Sequence, residues 1–195
     1  LLDAAGAELV EFSPLDDPVL PEGLDGLYFG GGYPEVHAAE LAANASMLTA
    51  VRAAAESGRP IYAECGGLIY LAEAIEHHPG AGLFPARARM LPKRKALGYR
   101  EVTLSTETLL GPAGTVLRGH EFHYSEMKMP DEVKRVYRVT ARNGREHFDE
   151  GYAAGNILGS YIHLHFGSNP DTAGHFVTAC RSAATDNHEV RRIND

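Results

Sequence analysis

The chain has 195 residues and a formal net charge of −8 at pH 7, because 26 Asp and Glu outnumber 18 Lys and Arg. This acidic balance argues against a nucleic-acid-binding protein, which needs a basic surface to neutralise phosphates. Hydrophobic residues make up 44% of the chain, enough for a buried core, and the composition is not that of a disordered segment. We therefore predict a globular protein with no nucleic-acid partner.

The sequence carries no sign of export or membrane insertion. No apolar run approaches the ~18 residues that a membrane span needs, and the first residues lack the basic flank and apolar stretch of a signal peptide. The two cysteines, Cys65 and Cys180, are too few for a disulfide framework. We expect a cytoplasmic protein with no membrane partner. The oligomeric state is left open, and a homodimer is compatible with the sequence.

The opening residues, LLDAAGAEL, are typical of the end of a helix, and residues 8–12 are predicted to form a short strand. Since a domain rarely begins inside a helix, we interpret the chain as an N-terminally truncated fragment. Residues 1–185 are assigned to one domain and residues 186–195 to a polar C-terminal tail.

The following segments alternate between buried strands and helices, and later become rich in β-structure. A glycine run at 30–32 ends the first buried strand, and Cys65 ends the next. The alternation predicts an α/β three-layer sandwich with a mixed, mainly parallel central sheet. Strands are predicted at 24–29, 61–64, 99–104, 116–124, 133–140 and 156–162, and helices at 35–44, 47–57, 68–76 and 169–184.

Cys65 is the first candidate for chemistry because it lies at a strand-to-helix corner. A thiol there is near the positive end of a helix dipole, which favours the reactive thiolate. The next residues, Gly66 and Gly67, leave the corner uncrowded, and the Gly66 amide is placed to donate to an oxyanion. A buried cysteine followed by a flexible turn is the alternative. Cys180 lies within a helical apolar pattern and is predicted to pack in the core.

A cysteine nucleophile needs a base, and His163 is the best-placed histidine. It ends a strand predicted to lie beside the strand of Cys65, and His165 points to the same face if the strand continues. In open α/β sheets, ligands bind at the carboxyl ends of the strands. The sequence therefore predicts one crevice that gathers the glycine run, Cys65 and His163.

Two further motifs contain residue types that also occur in metal sites or in phosphate-binding loops. In GHEFHYS, Glu121 and His123 share one strand face, and with His163 and His165 they offer ligands for zinc or iron. Their spacing matches no recognised ligand motif, so no metal is predicted. The glycine run is not a phosphate loop, because no Gly-Lys-Ser/Thr follows it.

Four motifs taken together, GGGYPE, YAECGGLIYL, GHEFHYS and SYIHLHF, carry a family resemblance over nearly the whole chain. In that order they resemble the glutaminase domain of cobyrinic acid a,c-diamide synthases, within the class I glutamine amidotransferase superfamily. GGGYPE and a CGG corner also occur in the related cobyric acid synthases. The resemblance implies a class I glutamine amidotransferase-like, flavodoxin-like fold.

The resemblance also implies roles for individual residues. The nucleophile falls on Cys65 and the base on His163, with oxyanion donors at the amides of Gly31 or Gly32 and of Gly66. Glu121 and His123 are expected to line the glutamine pocket or the domain contact. The superfamily commonly has a glutamate two residues after the histidine, where this chain has His165. The group that orients the base therefore stays open, with His165 as one candidate.

The implied activity is release of ammonia from glutamine for an ATP-dependent ligase. The ammonia would amidate the a and c acetate side chains of a corrin in an upstream synthetase domain. No cofactor is expected in this domain, and ATP and magnesium are expected in the synthetase domain. Three alternatives remain: the glutaminase domain of a cobyric acid synthase, a cysteine hydrolase on the same fold, and a non-catalytic interaction domain.

Overall fold

The computed structural model describes the backbone of residues 1–194 and the side chains of residues 1–185. The helices are α1 (Ala38–Ala43), α2 (Ala45–Glu56), α3 (Gly66–Leu71) and α4 (Asp171–Asn194). The strands are β1 (Leu27–Phe29), β2 (Ile61–Glu64), β3 (Ala72–Ile75), β4 (His78–Pro79), β5 (Phe84–Met90), β6 (Ala96–Leu104), β7 (Val116–His123), β8 (Ser125–Met127), β9 (Lys134–Ala141), β10 (His147–Ala154), β11 (Ile157–Ser160) and β12 (Ile162–Leu164). Short 3-10 turns occupy Pro34–Val36 and Phe166–Ser168.

The main sheet has eight strands in the order β1-β2-β11-β10-β9-β6-β7-β12. β2 pairs in parallel with β1 and β11, whereas every other neighbouring pair in this sheet is antiparallel. The sheet is therefore mixed as predicted, but the expectation of a mainly parallel sheet is wrong. The reason lies in the connections, because tight turns join antiparallel strands and parallel strands need a longer crossover. Residues 155–156 alone join β10 to β11.

Three layers follow from the alternation of side chains along β2. Ile61 and Ala63 are buried in a core that includes residues of α1, α2 and α3. Tyr62 points to the opposite face and packs in a second core with Phe176 of α4. The α/β three-layer arrangement predicted from the sequence is therefore confirmed.

The region after Cys65 differs from the sequence prediction. The predicted helix through Glu76 ends at Leu71, and β3 begins at once as part of a second sheet with the order β4-β3-β5-β8. Ala72 and Ala74 are buried while Glu73 between them is exposed, which is the alternation of a strand. The short apolar run fits both the periodicity of a helix and that of a strand, which explains the wrong prediction.

Three other predicted elements also differ from the structure. Residues 8–12 form no strand: residues 8–11 are exposed, and Phe12 contacts Phe29 edge-on with ring centroids 5.5 Å apart. The strand predicted at 156–162 is divided at Tyr161, because β11 pairs with β2 and β12 with β7. The helix predicted to end near residue 184 continues to Asn194.

The side chains of the predicted polar tail, residues 186–195, lie outside the described part of the chain. Within the described residues, the structure contains no helix with the length and apolarity needed to cross a bilayer.

Candidate active site

Cys65 occupies a sharp corner between β2 and α3, with φ 48° and ψ −102°. A non-glycine residue with positive φ is strained, and such strain persists only where the surroundings enforce it. Here the Cys65 amide donates to the Ser160 carbonyl at 2.7 Å, and the Gly67 amide donates to the Gly30 carbonyl at 3.0 Å. The geometry is that of a nucleophile elbow, in which the side chain projects from the sheet edge.

The two glycines after Cys65 are required by close backbone contacts. A Cβ atom at Gly66 would lie 2.6 Å from the Gly32 nitrogen, and one at Gly67 would lie 2.5 Å from the Phe29 carbonyl oxygen. Both contacts are with backbone, which has little freedom to move away. The elbow is therefore packed directly against the glycine loop, residues 30–32.

His163 contacts the other part of the same glycine loop. It lies in β12 opposite His120 of β7, and the two imidazole rings stack with centroids 4.7 Å apart and planes 5° from parallel. A Cβ atom at Gly31 would lie 2.3 Å from His163 Cε1. The structure thus brings the glycine loop, Cys65 and His163 together, at the edge of the sheet where β1 and β2 end.

The thiol and the imidazole are not hydrogen-bonded to each other in the described part of the chain. Cys65 Sγ instead donates to the Phe122 carbonyl at 3.8 Å. Catalytic hydrogen bonds are often formed only when substrate is bound. In this conformation the sulfur is directed towards β7.

The thiol is protonated at neutral pH. Burial raises the pKa of Cys65 to about 12, the negative charge of Glu35 adds to this, and the Gly66 amide opposes it only in part. The expectation that the helix terminus favours a thiolate is therefore wrong, because α3 has only six residues and desolvation dominates. Attack on a substrate requires transfer of the thiol proton to a base.

His163 is suited to accept that proton. Burial, followed by the neighbouring His120 and His123, lowers its pKa below the usual value of 6.5. The imidazole is therefore neutral at pH 7 and has a free lone pair for a proton.

Glu64 links the strands of the two candidate catalytic residues, and the sequence reasoning missed it. Its Oε1 accepts hydrogen bonds from the Leu164 amide at 2.8 Å and from the Tyr62 hydroxyl at 2.7 Å. Its Oε2 accepts one from the Tyr28 hydroxyl at 2.8 Å. Burial raises the pKa of Glu64 despite these three donors. A charged residue inside the buried strand IYAE was the available signal.

Glu121 and His123 point to the same side of β7, as predicted, and they are hydrogen-bonded. His123 Nε2 lies 2.9 Å from Glu121 Oε1, and Arg100 Nε donates to Glu121 Oε2 at 2.8 Å. Burial acts to raise the pKa of Glu121, but His123 and Arg100 together lower it. His123 also stacks on Tyr161, with ring centroids 4.0 Å apart. Glu121 is therefore a paired carboxylate that holds His123 in place.

A small cavity of about 270 Å³ opens beside Cys65. Such a volume, near the low end of ligand sites, suits a small metabolite. A larger groove of about 970 Å³ lies along residues 6–15 and β1, but neither Cys65 nor His163 lines it. The smaller cavity is the candidate substrate site because it holds the thiol. Its walls are Gly32, Tyr33, Glu35, Cys65, Met90, Phe122, His123 and Tyr124.

Comparison with known proteins decides the family. Residues 1–171 match the family described as the CobB/CobQ-like glutamine amidotransferase domain. The chain belongs to this family. A cobyrinate a,c-diamide synthase from Leptospira interrogans is 47% identical over 186 residues, covering 92% of this chain and 41% of that protein. A hydrogenobyrinate a,c-diamide synthase from Streptomyces coelicolor is 42% identical over 183 residues, covering 94% of this chain and 37% of that protein.

The fold of this amidotransferase domain also matches solved structures. A chain in the structure of PurLQS from Thermotoga maritima superposes with a TM-score of 0.60 at 19% identity, covering 86% of this chain and 83% of that chain. At this identity the likeness concerns the fold alone. The predicted class I glutamine amidotransferase-like fold is thereby confirmed. The chain spans less than half the length of the curated relatives named above.

Two other predicted residues of the amidotransferase domain lie away from the thiol. His165 is exposed, its ring lies against Gly167, and it makes no hydrogen bond to His163 within residues 1–185. Its role in orienting the base stays a prediction without a contact that supports it. Cys180 is half-buried on α4 and packs against the second core beside Gly26.

The alternative of a metal site finds no cluster to support it. Within the described residues, no three His, Cys, Asp or Glu side chains are grouped so as to hold a metal ion. His120 is stacked on His163, whereas Glu121 and His123 are engaged with Arg100 and Ser125. The histidines of β7 and β12 therefore serve different contacts.

Proposed function

We propose that this chain is the glutamine-hydrolysing domain of a cobyrinate a,c-diamide synthase. The observation that carries the proposal is the strained elbow, which presents the Cys65 thiol to the small cavity while the adjacent glycine loop contacts His163. The named relatives with 42–47% identity supply the substrate class.

In the proposed reaction, Cys65 Sγ attacks the side-chain carbonyl carbon of glutamine and transfers its proton to neutral His163. The carbonyl oxygen becomes an oxyanion, for which the amides of Gly31 or Gly32 and of Gly66 are the donors. Neither the Gly31 nor the Gly32 amide donates to another protein group within residues 1–185. Preorganised donors of this kind stabilise the transition state strongly.

The tetrahedral intermediate then loses ammonia, which takes the proton held by His163. A thioester joins the glutamyl group to Cys65. Water attacks this thioester with His163 again accepting a proton, and glutamate leaves as the thiol is restored. The same imidazole thus serves as acid and base in turn.

The remaining parts of the proposal concern the whole protein. Ammonia would pass to an ATP-dependent synthetase domain, in which ATP and magnesium would supply the activation of the a and c acetate side chains of a corrin. The name of the Streptomyces coelicolor relative favours a second candidate substrate, hydrogenobyrinate. We also propose a cytoplasmic location for the reaction, which two free cysteines support.

The proposal is tested by assaying the full-length protein with either glutamine or free ammonia as the nitrogen source. Cys65→Ser is expected to abolish glutamine-dependent amidation and leave ammonia-dependent amidation intact. Cys180→Ser is the matched control and should retain both activities. Equal activity of Cys65→Ser with both nitrogen sources would refute the role of Cys65.

A further inference from the structure

Glu35 places an unpaired carboxylate oxygen in the wall of the cavity beside Cys65. The residue lies in the 3-10 turn Pro34–Val36, directly after the glycine loop and Tyr33. Its Oε2 atom is shielded from solvent and has no hydrogen-bond partner within the described residues. A buried polar atom without a partner is unfavourable, and in native proteins such atoms are uncommon. Because Glu35 also lines the cavity, a molecule bound there is a candidate partner for this carboxylate.

The charged groups around the cavity indicate the sign of the charge on that partner. Glu35 is close enough to Cys65 and Tyr161 for its negative charge to raise the pKa of both groups. The nearby carboxylate of Glu121 is already paired with Arg100 and His123. Glu35 is the carboxylate in the described cavity wall that lacks a cation, so a ligand with a positive group is favoured there.

Glutamine has this combination of groups. Its carboxamide must reach Cys65, and its α-ammonium lies at the other end of the molecule. We propose that the Glu35 carboxylate binds the α-ammonium group of glutamine in the cavity beside Cys65. This inference rests on the proposed glutaminase activity and names the residue that selects an α-amino acid amide. A charge-assisted hydrogen bond in a shielded site is strong and directional.

The same contact predicts how the enzyme discriminates among amides. Glutaramate has the carboxamide and carboxylate of glutamine but no α-amine. A site built to pair a polar substrate group rejects an analogue lacking it, because the protein group is left unpaired. Glu35 is therefore expected to set the preference for glutamine over glutaramate.

The test measures ammonia release from glutamine and from glutaramate by the full-length protein and its Glu35→Gln variant. In the unmodified protein, kcat/KM for glutamine is expected to exceed that for glutaramate by about tenfold to a hundredfold. Glu35→Gln is expected to raise KM for glutamine by a similar factor, with a smaller change in kcat, and to remove the preference. Glu40→Gln, at an exposed side chain of α1, is the matched control and should change neither constant.

The preference for glutamine decides the outcome. The inference is overturned if Glu35→Gln keeps the full preference, or if the unmodified protein uses both amides equally. Thermal unfolding followed by circular dichroism verifies the fold of each variant. If Glu35→Gln does not fold, Glu35→Asp retains the charge but withdraws the carboxylate. It should then have a raised KM and a reduced preference, and an unchanged preference would contradict the inference.

Failure of the proposed function gives a different result. Absence of glutamine hydrolysis in the unmodified protein, or its survival in Cys65→Ser, would overturn the glutaminase assignment itself. Normal hydrolysis that depends on Cys65 but shows no dependence on Glu35 would overturn only the ammonium site.

Discussion

At the scale of single residues, the protonation states of Cys65 and His163 predict the pH dependence of the proposed hydrolysis. Cys65 remains a thiol at neutral pH, since its pKa is raised to about 12, so the proposed reaction depends on neutral His163. Burial and the two neighbouring histidines hold the His163 pKa below 6.5, and protonation removes the base at lower pH. Activity should therefore be full at pH 7 and decline below pH 6.5.

Replacement of His120 tests whether the neighbouring histidines help to set the pH below which activity declines. In His120→Asn, the electrostatic effect of His120 on His163 is lost, so the His163 pKa should rise towards 6.5 while the larger effect of burial remains. A profile of glutamine kcat/KM against pH should show the decline at low pH displaced to higher pH. The exposed His147→Asn is the control, and a decline displaced to lower pH would contradict the prediction.

Gly66 tests the elbow itself. In Gly66→Ala, the new Cβ would meet the Gly32 backbone at 2.6 Å, so the elbow or the glycine loop must shift. We expect at least a hundredfold loss of kcat and a loss of stability of about 1–3 kcal/mol. Kinetic assays and urea unfolding measure the two effects.

Gly174→Ala is the comparison for Gly66→Ala. A Cβ atom there would contact nothing within 4 Å, and the residue lies inside α4. Alanine is the better helix former by about 1 kcal/mol, so this variant should be as active and slightly more stable. Normal activity in Gly66→Ala would mean that the elbow is not needed.

At the scale of elements, β2 and β12 are joined by Glu64 rather than by a shared ladder. The carboxylate precedes Cys65 and accepts the amide hydrogen of Leu164, which follows His163. The candidate nucleophile and the candidate base are therefore linked through one buried group. We expect Glu64 to be a positioning residue that acts on His163 through the backbone of β12.

Glu64→Gln tests this link. The amide nitrogen of glutamine cannot accept a hydrogen bond, so one of the donors among Tyr28, Tyr62 and Leu164 loses its acceptor. We expect a loss of about 1–3 kcal/mol in urea unfolding and a fall in kcat with little change in KM. Tyr28→Phe removes one donor and should have a smaller effect on both measurements. A change in KM without a change in kcat would contradict the positioning role.

Elements bordered by clear turn residues were predictable, and those defined by long-range pairing were not. The pattern around Cys65 locates the elbow because Gly66 and Gly67 follow a buried strand. The apolar run of residues 156–162 gives no sign of the break at Tyr161. The break arises because β11 pairs with β2, whereas β12 pairs with β7. Side-chain periodicity reports which face is buried, but does not report which strand lies alongside.

The candidate site shows the same division. The grouping of Cys65 and His163 was predictable because the sequence pattern puts each at the end of a strand, although His163 lies within β12. The roles of Glu64 and Arg100 depend on contacts across distant parts of the chain, 100 residues apart for Glu64 and Leu164. The thiol state was mispredicted because burial, which the sequence does not give, outweighs the short helix.

At the scale of the whole molecule, the parallel and antiparallel halves of the main sheet meet at Glu150. This buried residue of β10 accepts hydrogen bonds from the Ser160 hydroxyl and the Tyr161 amide, where β11 ends. Burial raises the pKa of Glu150 to about 7, so the folded protein holds this proton more tightly than the unfolded chain does. The resulting stabilisation is complete below about pH 4.5 and is lost as pH rises towards 7.

Glu150→Gln should flatten the pH dependence of stability. Because the shift spans about 2.5 pH units, up to ~3 kcal/mol of the decline between pH 4.5 and 7 should be absent in the variant. Urea unfolding at a series of pH values measures the slope, with the exposed Glu146→Gln as control. Equal slopes for the unmodified protein and Glu150→Gln would contradict the prediction.

The protonation of the Cys65 sulfur has a consequence for the durability of the protein. Peroxide and disulfides react with thiolates, and they need access to the sulfur atom. A protonated thiol does not satisfy the first condition, although the cavity beside Cys65 leaves the sulfur within reach of a small molecule. We therefore expect the Cys65 thiol to react slowly with peroxide in the absence of substrate, and faster when its proton is removed during the proposed reaction.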